Sequence, residues 1–203
     1  MARERAPRAW QRMLSGRRLD LLDPSPLDIE IEDIAHGLAR VARWNGQTTG
    51  PHIFSVAQHS LLVERIAGEA NPTFTAPACL YALLHDAAEY VVGDMISPFK
   101  VVLGPSYKGV EIRILGAIMQ RFSLPAAPAP KLAKRIKLAD QAATFLEATR
   151  LAGFGLTEAQ KYFGEPGVTS EAIEALLLPL PVEAAQAQFL QRFREIEERC
   201  GAG

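Results

Sequence analysis

Apolar residues recur along this chain mostly at helical spacing. Ile31, Ile34, Leu38 and Val41 stand 3, 4 and 3 residues apart, the single buried stripe of an amphipathic helix. That helix is predicted to run from Glu32 or Asp33 to Trp44, with Asn45-Gly46 ending it. Ser55 is the predicted N-cap of a second helix reaching about Gly68, whose stripe is Val56, His59, Leu62, Val63 and Ile66. Asn71-Pro72 marks a loop, and Pro77 the first turn of a third helix that continues through His85-Asp86 to Val92 and stops at Gly93. Further helices are predicted from Lys108 to Phe122, Lys131 to Gly153, Ser170 to Leu177 and Val182 to Cys200. Pro125, Pro128 and Pro130 remove backbone donors and make 124–130 a linker. Alternation with period two is confined to Leu27 to Ile31, which could pair with Leu19 to Leu22 across Pro24-Ser25-Pro26. The expected fold class is all-α.

Several polar residues occupy positions where this pattern expects apolar ones. His59 shares the face of Val56, Leu62, Val63 and Ile66, so its imidazole is expected to point toward the core, where it needs a partner. His85-Asp86 follows the apolar run Leu80 to Leu84, and Glu89 comes one turn later, so all three are expected on one side of a helix. Asp140 projects with Ala133, Ile136 and Ala143, a face on which an unpaired carboxylate would be costly. Singly, each has an ordinary structural reading: a hydrogen-bonded core histidine, a capping pair, a solvated acid. Together, two imidazoles and two carboxylates from three helices would compensate one another by ligating a divalent cation. Such mixed nitrogen and oxygen ligation suits one divalent transition metal such as Mn, Fe, Co, Ni or Zn, with two octahedral positions left for water and substrate.

The 203 residues fit one domain, with 1–27 as an N-terminal extension, 28–153 as the core and 154–203 as C-terminal helices packed on it or forming a homodimer contact. Lys plus Arg number 22 against 23 Asp plus Glu, a balance that argues against a duplex nucleic-acid partner. The longest apolar run, Ala78 to Leu84, is too short to cross a membrane. Six arginines between Arg3 and Arg18 precede no apolar stretch of the kind a secretory signal needs, which leaves an Arg-rich transit peptide as the lesser alternative. Cys79 and Cys200 fit no zinc or redox spacing, so a reducing, cytoplasmic setting is expected.

The order His59, His85-Asp86, Asp140 resembles the HD superfamily of metal-dependent phosphohydrolases, whose all-α helical core presents such a set to a metal. Arg43-Trp44, Gln58-His59-Ser60-Leu61, His85-Asp86-Ala87-Ala88-Glu89, Gly93-Asp94 and Ser97-Pro98-Phe99-Lys100 are similar to its 5'-deoxynucleotidase branch, bacterial enzymes that dephosphorylate deoxyribonucleoside monophosphates. The resemblance covers about residues 28 to 150. The loop Asn45 to Pro51 departs from that branch and, with Ser55 to Ser60, looks more like other HD hydrolases of bacteria and their phages.

The resemblance implies His59, His85, Asp86 and Asp140 as metal ligands. Glu89 would orient or deprotonate the attacking water, and Asp94 would assist it or bind the sugar. Arg43 would clamp phosphate and Trp44 would pack beside the sugar, although taken alone they read as a solvated cation and a core anchor. His36, seven residues before Arg43 and so on nearly the same helix side, could line the pocket. Lys100 is a weaker candidate for phosphate, and His52 is expected to be exposed. The function implied is release of phosphate from (deoxy)nucleoside 5'-monophosphates, with a small-molecule nucleotide as the partner. Alternatives are an HD hydrolase of guanosine tetraphosphate or of a dinucleotide, and a non-catalytic metal- or nucleotide-binding protein. A binuclear dinucleotide enzyme would need further histidines, for which His36 and His52 alone remain.

Overall fold

The helix buried along most of its length occupies the middle of the protein. In the computed structural model, described over residues 8–96, 105–165 and 167–201, the chain forms β1 (Trp10–Arg12), β2 (Arg18–Asp20), α1 (Ile31–Leu38), α2 (Val56–Ala70), α3 (Ala76–Leu83), α4 (Glu89–Val92), α5 (Pro105–Arg121), α6 (Pro130–Arg150), α7 (Leu156–Phe163), α8 (Glu171–Ala175) and α9 (Val182–Gly201). The fold is all-α, a helical bundle in which the described residues form one two-stranded antiparallel hairpin. α2 is buried on nearly every side, from Val56 to Ala67, and packs against α6, α3 and α9. Burial on nearly every face places the helix in the core, so its polar side chains need partners there.

The polar residues of α2 are compensated by distant parts of the chain. Gln58 donates from Nε2 to the Leu178 carbonyl (2.8 Å) and accepts at Oε1 from the Leu180 N–H (3.2 Å). Glu64 is gripped by Arg192 of α9 through Nε (2.9 Å) and Nη2 (2.7 Å). α9 buries Ala185, Phe189, Phe193 and Ile196 along one stripe against α1, α2 and α3. At the other terminus Leu19 of β2 is fully buried, and Ser15 donates from its N–H (3.0 Å) and hydroxyl (2.5 Å) to Asp33 in the first turn of α1. One hydrophobic core therefore takes side chains from all three segments.

Three expectations are corrected. The hairpin pairs 10–12 with 18–20 in the register Gln11 to Leu19. Leu27 instead lies in a 3₁₀ turn, Pro26–Asp28, where the Ser25 hydroxyl accepts from the Leu27 N–H and Pro26 favours a helical start. The first helix ends at Leu38, not Trp44. The chain then pairs with the segment before α2, through Arg43 N–H to the Phe54 carbonyl (2.9 Å) and Val56 N–H to the Val41 carbonyl (3.0 Å). Val41, at the bend after the helix and still bonded through its N–H to the Gly37 carbonyl (3.1 Å), keeps its place against the core, so the spacing could not mark the helix end. Finally, the predicted third helix is broken after Leu83: 84–88 are turns and α4 starts at Glu89. His85 Nδ1 lies 2.9 Å from the Ala82 carbonyl, taking an acceptor that a continuing helix would use.

Candidate metal centre

The short pairing of 41–43 with 54–56 sets Arg43 and Trp44 beside the first turn of α2, where Ser55 caps the helix with its hydroxyl on the Gln58 N–H and His59 follows one turn in. Trp44 (φ 57°), Asn45 (φ 51°) and Gly46 (φ 75°) then turn in the left-handed region. For a bulky residue such as Trp44 this is strained backbone, of order 1–2 kcal/mol, and such strain gathers at functional sites. The turn is held by the Gln47 N–H on the Trp44 carbonyl (2.9 Å) and by the indole Nε1–H on Glu147 Oε2 (2.9 Å).

Both imidazoles of the expected set are fixed in one tautomer by what lies behind them. His59 is fully buried, and its Nδ1 is 2.5 Å from Glu147 Oε1. Burial raises the Glu147 carboxyl, but Arg43, His59 and Trp44 outweigh it and hold it below the usual range. An ionised carboxylate only accepts, so Nδ1 carries the proton. His85 Nδ1 faces the Ala82 carbonyl at 2.9 Å and is a donor for the same reason. In each ring Nε2 is left to face forward, buried and, among the described residues, with no hydrogen bond.

Those two Nε2 atoms converge on carboxylates. His59 Nε2 is 3.4 Å from Asp140 Oδ1 and 3.5 Å from Asp86 Oδ2, and His85 Nε2 is 3.1 Å from Asp86 Oδ2. One ligand atom each from His59, His85 and Asp140 lie within 4.8 Å of one another. Lone pairs of nitrogen and oxygen aimed at one point repel unless a cation sits between them. The pull on a proton shows this: burial and Arg43 lower the His59 pKa, yet Glu147, Asp140 and Asp86 more than reverse it and hold it well above the usual value. Burial raises the Asp86 and Asp140 carboxyls, but the imidazoles outweigh it and both stay below the ordinary range. The donor set, two imidazole nitrogens and the Asp140 carboxylate with Asp86 beside both rings, fits a divalent first-row metal.

A further residue escaped the sequence reading. Glu147, fully buried, joins His59, Trp44 and Arg43, whose Nε and Nη2 are each 3.1 Å from its Oε2. Its one sequence signal is its spacing of seven from Asp140, which puts both acids on the same face of α6. The third nitrogen of Arg43, Nη1, donates to Asp94 Oδ2 (3.1 Å), so the guanidinium, 12% exposed, is engaged at every nitrogen. Gly93 (φ 78°) delivers Asp94 there by turning the chain sharply out of α4. Lys137 Nζ bonds Asp140 Oδ2 at 2.7 Å. Four carboxylates, those of Asp86, Asp94, Asp140 and Glu147, thus stand against Arg43 and Lys137. Glu89 aside, the formal surplus is two negative charges, which a divalent cation cancels.

The centre forms part of the wall of a cavity of about 790 Å³, lined by Asp86, Glu89, Asp94, Asp140, Arg43 and Lys137 and, on apolar surface, by Trp44, Phe154, Tyr162 and Phe163. Glu89 is buried and reaches this wall from the start of α4. His36 is not on the wall; it sits half-buried in α1, where burial and Arg40 lower its pKa. His52 is exposed. Lys100, with 97–99, lies outside the described residues. Among the described residues no helix is long and apolar enough to cross a membrane.

No family model matches the sequence. A protein of Rhodobacter capsulatus, described as uncharacterized, is 59% identical over 160 residues, covering 78% of this chain and 81% of that protein. The chain belongs to the same family as that protein.

Proposed function

We propose that the protein is a metal-dependent phosphohydrolase that releases phosphate from (deoxy)nucleoside 5'-monophosphates. The observation that carries this reading is the pair of buried Nε2 atoms on His59 and His85, grouped with an Asp140 oxygen within 4.8 Å and flanked by Asp86, beside a cavity of substrate size. His59, His85, Asp86 and Asp140 would hold the metal. Bound there, it would supply Lewis acidity toward a phosphoryl oxygen and a lowered pKa for water.

The chain's own groups divide the remaining work. Glu89, on the cavity wall one turn past the ligands, accepts the proton of the attacking water. Among the described residues, Arg43 and Lys137 are the cations at the wall. Because Arg43 already holds Glu147 and Asp94, a phosphate that meets it competes with Asp94, whereas Lys137 can turn from Asp140 to the substrate. Trp44, pinned through its indole nitrogen, stands where a sugar would follow the phosphate.

The test is metal-stripped protein refilled with Mn, Fe, Co, Ni or Zn and assayed for phosphate release from nucleoside mono-, di- and triphosphates, guanosine tetraphosphate and dinucleotides. Metal-dependent release from monophosphates is expected. A fully metal-loaded protein that releases phosphate from no monophosphate overturns the reading.

A further inference from the structure

The cavity is larger than a sugar phosphate requires and lies well within the size range of pockets that enclose whole organic ligands, roughly 300–1,000 Å³. Part of its wall is aromatic. Trp44 and Phe154 stand 5.5 Å apart, Trp44 and Phe163 5.8 Å at 89°, and Phe154 and Phe163 5.7 Å at 69°. These three rings satisfy one another in edge-on and tilted contacts, as core aromatics do. Tyr162 does not belong to that closed set. It is 62% exposed, lines the same cavity, and touches the group at its margin, 6.3 Å from Phe163. Lys161 Nζ stands 5.4 Å from its ring centroid.

The aromatic wall and the metal centre are built as one unit. Glu147 accepts from the Trp44 indole at Oε2 and from His59 at Oε1, so a single buried carboxylate sets the distance between indole and imidazole. A ligand with its phosphate at the centre therefore meets the aromatic rings at a fixed place along its length. Two of those rings come from α7, beyond the stretch that resembles the HD hydrolases.

We propose that Tyr162, at the margin of the Trp44, Phe154 and Phe163 cluster, stacks the planar base of the substrate, which makes the ligand a nucleotide rather than a simple sugar phosphate. This rests on the phosphomonoesterase reading above. Aromatic stacking tolerates every base because each offers a π-face, so this wall selects for the presence of a base and only weakly for its identity.

The experiment uses the full-length protein. Deoxyadenosine, which has no phosphate to lose, is titrated calorimetrically, and phosphate release is compared between deoxyadenosine 5'-monophosphate and 2-deoxyribose 5-phosphate. Tyr162→Ala should weaken deoxyadenosine binding about 10-fold and reduce the preference for the nucleotide over the sugar phosphate by a similar factor, the low end for one stacked ring. Tyr162→Phe should restore both, since stacking needs the ring and not the hydroxyl. Deoxyadenosine binding that is absent in the wild type, or equal in wild type and Tyr162→Ala, overturns the proposal even if both esters are hydrolysed. Binding that depends on Tyr162 with no ester hydrolysed sinks the phosphohydrolase and leaves a nucleoside site standing.

Discussion

Replacing Glu147 by glutamine separates the charge of this residue from its shape. The carboxylate takes hydrogen bonds from His59 Nδ1, Trp44 Nε1 and Arg43 Nε and an ion-pair contact from Arg43 Nη2, four donor nitrogens in all. Glutamine has one acceptor oxygen and one donor amide. Three of the four donors meet at Oε2, so the oxygen of glutamine takes that position and the amide faces His59. His59 Nδ1 must then accept, and its proton moves to Nε2, the atom that faces Asp86 and Asp140. The variant should fold, at a loss of about 1–3 kcal/mol for weaker bonds to Arg43. It should bind metal roughly 10- to 100-fold more weakly, as when the partner behind a ligating histidine is lost. Glu147→Ala, which leaves the guanidinium with Asp94 alone, should lose about 3–5 kcal/mol. Urea unfolding of metal-free protein gives the stability terms, and competition with a chromophoric chelator gives the affinities. Glu147→Gln with wild-type metal affinity would refute the tautomer argument, and with it the claim that the two Nε2 lone pairs define the centre.

Other consequences follow from the same geometry. Asp86→Ala removes the carboxylate that faces both Nε2 atoms, and elemental analysis should find the metal lost; full occupancy would dismiss the site. Glu89→Gln should keep the metal and slow phosphate release by about 100- to 10,000-fold, the usual share of a positioned acid or base; unchanged turnover removes Glu89 from the mechanism. Metal affinity should fall as pH is lowered, because the coordinating imidazoles must give up protons; titrations at several pH values that show no such trend would exclude histidine ligation. Gly37→Ala would place a Cβ 2.8 Å from Tyr90 Cβ and 2.9 Å from its carbonyl oxygen, so α4 must shift. About 1–3 kcal/mol of stability should be lost in urea unfolding, and a neutral result would show that α1 and α4 move apart freely.

The candidate ligands were legible because they break a pattern: a histidine inside the stripe of α2 and an aspartate on a small apolar face of α6 are conspicuous where packing expects aliphatics. Glu147 was not, since a glutamate between Leu146 and Ala148 late in a charged helix reads as a solvated side chain until Arg43 and Trp44 are seen to fold onto it. The break after α3 carries no glycine or proline. It is made by a side chain, His85, reaching back to a carbonyl. The early end of α1 was hidden because Val41, in the bend beyond it, still bonds the Gly37 carbonyl and continues the helical spacing against the core. α7 was missed because its stripe, Leu156, Ala159 and Phe163, is only two turns long and rests on a small Ala159 and an exposed Leu156.

The partners of α2 lie far along the chain. His59 finds its carboxylate 88 residues later, Gln58 its carbonyl 120 residues later, and Glu64 its arginine 128 residues later. A chain emerging from the ribosome makes its central helix long before it makes the groups that let that helix be buried, and buried polar groups without partners are expensive. α2 can settle only when α6, the 178–180 segment and α9 have all been synthesised. The centre is then among the last parts of the protein to mature, and a truncated or stalled chain that carries all four candidate ligands lacks the scaffold that aims them.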